Sequence, residues 1–127
     1  MPELPEVETI RNNLRQGSAN QAALPGRMIR NSELSWGRTL AFPTLEEFQH
    51  RLSGQTILDI NRRGKYLIFI LSSSYLLFHL RMSGDLQVES SDQPLATHNR
   101  LVLHLDEGLR LSFVDPRKFG RVWLTAD

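Results

Sequence analysis

A proline and a glutamate at the start of the chain have the residue types for covalent chemistry on a sugar. Once Met1 is removed, Pro2 presents a secondary amine with the carboxylate of Glu3 beside it. An α-amine titrates near pH ~8, so a usable fraction is unprotonated at neutral pH. Such an amine can attack the C1′ carbon of a sugar and form an iminium. If Met1 stays attached, the nitrogen of Pro2 is a tertiary amide and cannot act as a nucleophile.

The same segment also has the features of an ordinary helix start. Pro5 suits a first helical turn, where its missing N–H costs nothing. Glu6 and Glu8 suit the positive end of the helix dipole. An apolar stripe at helical spacing follows, made by Val7, Ile10 and Leu14. Composition alone therefore favours the acidic start of an amphipathic helix.

The charges are unevenly distributed along a chain of 127 residues with a formal net charge of +1. Between Asn61 and Arg81 every charged residue is basic, namely Arg62, Arg63, Lys65 and Arg81. A basic stripe on a nearly neutral protein is compatible with phosphate binding but does not require it. The length and the 40% hydrophobic content predict one globular domain with a single core.

The composition also excludes several kinds of site. The chain has no cysteine, which rules out disulfides, a thiol nucleophile and a cysteine-based zinc site within it. Its histidines lack metal-ligand spacing, so no metal is expected. No signal peptide is recognised at the start, and the longest apolar run, Tyr66 to Leu71, is too short to cross a membrane. We therefore expect a cytoplasmic protein.

The hydrophobic pattern predicts a mainly β fold with flanking helices, arranged as an antiparallel β-sandwich or a flattened barrel. One helix opens the chain, and a second is predicted at about 44–53, where Thr44 and Glu47 form a capping box and Gly54 ends the helix. The predicted strands cover 28–36, 56–61, 65–71, 75–80, 85–89, 100–105, 109–114 and 120–125.

Four stretches of the chain, in order, resemble the formamidopyrimidine-DNA glycosylase and endonuclease VIII family. They are the start at 1–8, a lysine-bearing hairpin at 62–67, a methionine loop at 79–84 and an arginine–phenylalanine loop at 115–120. One such string would be weak evidence, whereas four in the order of the family are specific. Leu4 favours the formamidopyrimidine branch over the endonuclease VIII branch.

The resemblance implies a role for each matched residue. Pro2 would be the nucleophile that forms a Schiff base, Glu3 the general acid and base, and Lys65 a catalytic residue that holds a phosphate beside the lesion. The implied contacts with DNA or the flipped nucleoside come from Glu6, His79, Met82, His98, Arg117, Lys118 and Phe119.

Three of these side chains would fill the space left by an extruded base. Base flipping costs a few kcal/mol of stacking and pairing. Met82 can fill an irregular gap, Phe119 can wedge between bases, and Arg117 can bond the orphaned partner base. Taken singly, each has an ordinary structural explanation: Met82 and Phe119 as core residues, and the segment from Asp115 as a plain turn.

The resemblance therefore implies a bifunctional DNA glycosylase and AP lyase that removes oxidised purines, namely 8-oxoguanine and formamidopyrimidines, by β,δ-elimination. The partner would be damaged double-stranded DNA, bound by a monomer without a membrane. We expect residues 1–127 to be the N-terminal catalytic domain, with weak activity alone. We expect the helix–two-turn–helix and zinc-finger regions of the family to be absent from this chain, and with them the family's one zinc, so no cofactor is expected in it.

Three alternatives remain open. The chain could be a non-catalytic DNA-binding module of the same fold, or a glycosylase of the endonuclease VIII branch that acts on oxidised pyrimidines. It could also be an unrelated structural β-sandwich, which would leave the proline and carboxylate at the start unexplained.

Overall fold

A computed structural model describes residues 4–19 and 21–126 of the protein. Pro2 and Glu3 therefore lie outside the described residues. The helices are α1 (Leu4–Gln16) and α2 (Leu45–Leu52). The strands are β1 (Ile29–Leu34), β2 (Leu40–Phe42), β3 (Ile57–Arg63), β4 (Tyr66–Leu71), β5 (Tyr75–His79), β6 (Asp85–Ser90), β7 (Asn99–Leu105), β8 (Leu109–Val114) and β9 (Arg121–Thr125).

The described strands form two open sheets. One has the order β1-β7-β8-β6, and the other has the order β2-β9-β5-β4-β3. Neighbouring strands are antiparallel except for β2 and β9, which are parallel. The predicted β-sandwich with flanking helices is confirmed, and because neither sheet closes on itself the barrel alternative is wrong.

Aromatic rings join the two sheets in the core. Phe78 of β5 lies 5.1 Å from Phe69 of β4 and 5.6 Å from Phe113 of β8, measured between ring centroids. The second contact crosses from one sheet to the other. All three side chains are buried, and each stabilises the fold by roughly 1.5–3 kcal/mol through removal from water.

Both helices bury the stripe that their sequences predict. Val7 and Leu14 of α1 are fully buried, as are Phe48 and Leu52 of α2. The Oγ1 of Thr44 accepts a hydrogen bond from the N–H of Glu47 at 3.3 Å, which is half of the predicted capping box. The helix at the N-terminus is thus anchored in the core while its first turn lies at the surface.

One segment differs from the prediction. The sequence predicts no regular structure for residues 37–43, between the first predicted strand and the second helix. A short 3₁₀ turn (Gly37–Thr39) and β2 occur there. The strand has three residues, none of them buried, and it lies at a sheet edge, so it shows no alternation of apolar and polar residues. No helix in the described ranges is long and apolar enough to span a bilayer.

Candidate nucleic-acid interface

A cleft opens between the first turns of α1 and the loop that follows β5. It has a volume of about 560 Å³ and is lined by Pro5, Glu6, Thr9, Ile10, Met82, Ser83, Gly84 and Asp85. The sequence-predicted residues Glu6 and Met82 thus lie on opposite walls of one cavity. Helix α1 supplies one wall because its apolar stripe faces the core, which leaves the first turn at the rim.

A second cavity, of about 420 Å³, adjoins the cleft through Met82. It is lined by Lys65, His79, Arg81, Met82 and Phe119. Lys65 lies in the two-residue turn of the hairpin between β3 and β4, where Arg63 pairs with Tyr66. The preceding residue, Gly64, has φ +59°, which the tight hairpin turn requires and glycine adopts without strain. The turn therefore projects Lys65 at the end of the hairpin.

A chain of polar contacts attaches this hairpin to α1. The Nε of Arg62 donates to Oε1 of Glu8 at 2.6 Å, and its Nη1 donates to the carbonyl of Gly64 at 2.8 Å. Arg11 donates to the other oxygen of Glu8 at 2.5 Å. Hydrogen bonds from Arg62 and then Arg11 hold the pKa of the Glu8 carboxyl below its usual value of 4.5. Glu8 therefore links the helix of the cleft to the turn that bears Lys65.

His79 is held as a neutral imidazole in the second cavity. Its Nδ1 accepts the backbone N–H of Arg81 at 3.1 Å, which leaves the ring proton on Nε2. Burial, with the nearby charges of Arg81 and Lys65, lowers the pKa of His79 from its usual 6.5. The ring of Tyr66 packs edge-on against it, with centroids 4.7 Å apart. Neutral His79 can therefore present an N–H donor beside two cations.

The methionine loop and the arginine–phenylalanine loop are joined through a buried carboxylate. Asp115 is fully buried. Its Oδ1 accepts from the Ser83 hydroxyl at 2.6 Å, and its Oδ2 accepts from the N–H of Gly120 at 2.7 Å. The Ser83 oxygen also accepts the N–H of Arg117 at 3.1 Å. A Cβ at Gly120 would lie 2.9 Å from Oδ2 of Asp115, so this position requires glycine.

A third cavity, of about 450 Å³, lies next to the second and shares Arg81 and Phe119 with it. We call it the Trp36 surface, and its lining residues are Trp36, Arg38, Arg81, Arg117, Lys118, Phe119 and Arg121. The sequence did not indicate Trp36, Arg38 and Arg121 as functional candidates. A tryptophan two positions from an arginine is the only local signal, and it does not indicate which loop the pair meets.

The structure brings most of the predicted site residues to this connected face, with Pro2 and Glu3 outside the described residues. His98 lines none of the three cavities, although its carbonyl accepts the N–H of Asp115 at 2.9 Å. Met82 is 39% exposed and Phe119 is 53% exposed, so the alternative that they are core residues is wrong.

Within residues 4–19 and 21–126, no group of three or more His, Asp or Glu residues is placed to hold a metal ion.

Known proteins are similar to this chain in both sequence and fold. A formamidopyrimidine-DNA glycosylase of Protochlamydia amoebophila is 44% identical over 128 residues, covering 100% of this chain and 45% of that protein. The chain thus spans about half the length of that relative.

Two similar solved structures contain DNA. Lactococcus lactis FPG (MutM) in complex with FAPY-dG-containing DNA matches with a TM-score of 0.87 and 35% identity, over 98% of this chain and 44% of that one. MutM in complex with carbocyclic 8-oxo-G-containing DNA matches with a TM-score of 0.88 and 35% identity, over 98% and 45%. Residues 1–122 match the family model described as the formamidopyrimidine-DNA glycosylase N-terminal domain, and the chain belongs to that family.

Proposed function

We propose that this chain is the N-terminal catalytic part of a bifunctional DNA glycosylase and AP lyase that repairs oxidised purines. The observation that carries the proposal is the cleft between the first turns of α1 and the Met82 loop, bordered by the cations of the second cavity. It combines a space for an extruded nucleotide with exposed side chains that can replace it in the duplex.

The position of the cleft relative to the N-terminus supports Pro2 as the nucleophile. Pro5 lines the cleft and follows Pro2 by three residues in the sequence. Three residues of chain span at most about 11 Å. A sugar bound at this wall is therefore within reach of an amine on Pro2, provided that Met1 has been removed.

The proposed reaction proceeds through one covalent route. The amine of Pro2 attacks C1′, the bond from C1′ to the base breaks, and the base leaves with the electron pair and takes up a proton. The nitrogen of Pro2 then loses its proton, and its lone pair breaks the bond from C1′ to the ring oxygen, which takes up a proton, so that the ring opens and an iminium forms. The iminium acidifies the C2′ proton, whose loss expels the 3′ phosphate in β-elimination. Loss of the C4′ proton then expels the 5′ phosphate in δ-elimination. Glu3 transfers protons at the sugar ring oxygen and during ring opening.

The remaining predicted residues bind and distort the DNA. Glu6 orients the everted nucleoside, while Lys65 and His79 hold phosphates beside it. Met82, Arg117 and Phe119 occupy the vacated space in the helix, and Lys118 and His98 add backbone contacts. The substrates are oxidised purines in double-stranded DNA, as the ligands named for the two solved relatives support. We further propose a monomer that acts in the bacterial cytoplasm.

Borohydride trapping tests the proposal. Borohydride reduces an iminium between protein and abasic DNA to a stable amine, which is read as a protein–DNA adduct on a denaturing gel. The matched control carries one extra residue ahead of Pro2, so that only the nucleophilic nitrogen is changed. Intact mass spectrometry first establishes whether Met1 is absent. We expect an adduct with the free amine, none with the extended chain, and equal DNA binding by both.

Each alternative has a distinct outcome. Salt-sensitive DNA binding without an adduct would identify a non-catalytic binding module. Neither binding nor adduct would identify a structural β-sandwich. Faster base release from a duplex with an oxidised pyrimidine than from one with 8-oxoguanine would assign the endonuclease VIII specificity instead.

A further inference from the structure

The Trp36 surface contains more positive charge than the proposed reaction uses. Five of its seven lining residues are cations and none is acidic. Of these cations, Arg38, Arg81 and Arg121 have no role in the reaction proposed above. A concentration of like charges repels itself and favours a polyanion as its partner. If the proposed function holds, these additional cations face a further part of the DNA polyanion.

Contacts between residues that are distant in the sequence hold the Trp36 surface together. The ammonium of Lys118 lies 4.0 Å from the ring centroid of Trp36, a cation–π geometry. Lys118 has φ 64°, a left-handed conformation that lysine rarely adopts. On the other side, Nη1 of Arg121 donates to the carbonyl of Arg38 at 2.5 Å. The 3₁₀ turn after β1 is thus attached both to the arginine–phenylalanine loop and to β9.

The order of the cavities gives the position of this surface on bound DNA. Met82 is shared by the cleft and the second cavity, and Phe119 is shared by the second cavity and the Trp36 surface. The Trp36 surface therefore lies beyond Phe119 as seen from the cleft. If Phe119 enters the duplex while the cleft holds the damaged nucleotide, the region beyond Phe119 faces the opposite strand.

We infer that the Trp36 surface binds the phosphate backbone of the undamaged strand. Arg38, Lys118 and Arg121 make the phosphate contacts. Trp36 is a positioning residue, because the face of its ring holds the Lys118 ammonium rather than a base. The contacts would keep the opposite strand in place while the damaged nucleotide is turned out, so that the two strands are held by different parts of one face.

The test measures how binding depends on salt and on individual phosphates. Arg38→Gln removes one charge from the Trp36 surface, and Arg30→Gln removes one from an exposed position on β1 as the matched control. Affinity for a duplex with an 8-oxoguanine is measured by fluorescence anisotropy over a range of salt concentrations. We expect Arg38→Gln to lower the slope of log K against log salt by about 1, whereas Arg30→Gln leaves the slope unchanged.

Neutral methylphosphonates placed singly in either strand identify the strand. One or more positions in the undamaged strand should weaken wild-type binding but have less effect on Arg38→Gln, whereas positions in the damaged strand should weaken both equally. Trp36→Leu should lower the salt slope and Trp36→Phe should retain it, since phenylalanine keeps an aromatic face. Circular dichroism checks that each variant is folded.

Three results would overturn the inference. The first is a salt slope for Arg38→Gln equal to that of Arg30→Gln. The second is that Arg38→Gln alters the effect of methylphosphonates in the damaged strand only. The third is displacement of DNA by millimolar inorganic phosphate at constant ionic strength, which would indicate a small-anion site. Borohydride trapping of the wild type tests the proposed catalysis independently. If no adduct forms but Arg38→Gln still reduces the effect of methylphosphonates in the undamaged strand, the proposed catalysis is contradicted and this inference stands.

Discussion

The hydroxyl of Ser83 donates a hydrogen bond of 2.6 Å to the buried carboxylate of Asp115. This contact connects two loops that are 32 residues apart and that carry the exposed side chains Met82 and Phe119. Because Ser83 also accepts the N–H of Arg117, the two loops form one unit. Insertion of either side chain into DNA is thus expected to depend on both.

Ser83→Ala should weaken this unit. The substitution leaves a buried carboxylate oxygen without its donor, which should lower the free energy of unfolding by about 1–3 kcal/mol. Urea unfolding measures this loss. Base eversion, followed by the fluorescence of a 2-aminopurine beside the lesion, should slow more than borohydride trapping on single-stranded abasic DNA. Ser83→Thr keeps the hydroxyl and serves as the control. Equal losses in eversion and trapping would contradict the coupling of the two loops.

Phe119→Ala should slow base eversion without destabilising the fold, whereas Phe113→Ala should destabilise the fold. Phe119 is 53% exposed, so its removal should change the unfolding free energy by no more than about 0.5 kcal/mol while it slows base eversion. Phe113 is 1% exposed in the core, and its removal should cost about 3–5 kcal/mol. Urea unfolding of both variants, beside the 2-aminopurine assay, makes the comparison. A large stability loss in Phe119→Ala would show that it packs in the fold.

His79 should stay neutral below the pH at which a free histidine becomes protonated, since its pKa is lowered from 6.5 by burial and by Arg81 and Lys65. The unfolded chain then binds the proton first, so unfolding free energy should fall as pH drops below about 6.5 and be unaffected above it. Urea unfolding from pH 5 to 8 measures this dependence, and the NMR shift of the ring Hε1 gives the midpoint.

His79→Asn should flatten the same pH dependence, because the amide oxygen can replace Nδ1 as an acceptor without titrating. His50→Gln, at an exposed position of α2, provides the control. An NMR midpoint at or above 6.5, or a pH dependence that His79→Asn leaves unchanged, would argue against a neutral His79.

Glu8→Gln should loosen α1 from the Lys65 hairpin. The pKa of Glu8 is lowered by hydrogen bonds from Arg62 and then Arg11, so its stabilisation is present above about pH 4.5 and lost as pH falls through the lowered pKa. The variant should therefore be less stable than wild type at pH 7, with a difference that shrinks in acid. Asp92→Asn, in an exposed loop, controls for the loss of one negative charge. A constant difference from pH 7 to pH 3 would contradict this.

Local patterns were sufficient for most elements of the fold. The strand predicted at 109–114 occurs as β8 with the same bounds, because alternating leucines and a flanking turn are local properties. The second helix follows from the capping box at Thr44, and the other strands differ from their predicted bounds by two residues or fewer. β2 could not be predicted in this way, since its pairing with β9 joins residues about 80 positions apart.

The sequence by itself determined the secondary-structure pattern, the amine and carboxylate at the start, and the basic stripe from Arg62 to Arg81, since these depend on residue type and short-range spacing. Only the tertiary structure decided that Phe119 is exposed, that Ser83 bonds Asp115, and that Lys118 stacks on Trp36. Each of these depends on which distant segments the two sheets bring together. The sequence does not indicate whether a given aromatic residue is exposed or buried, because that depends on how distant segments pack around it.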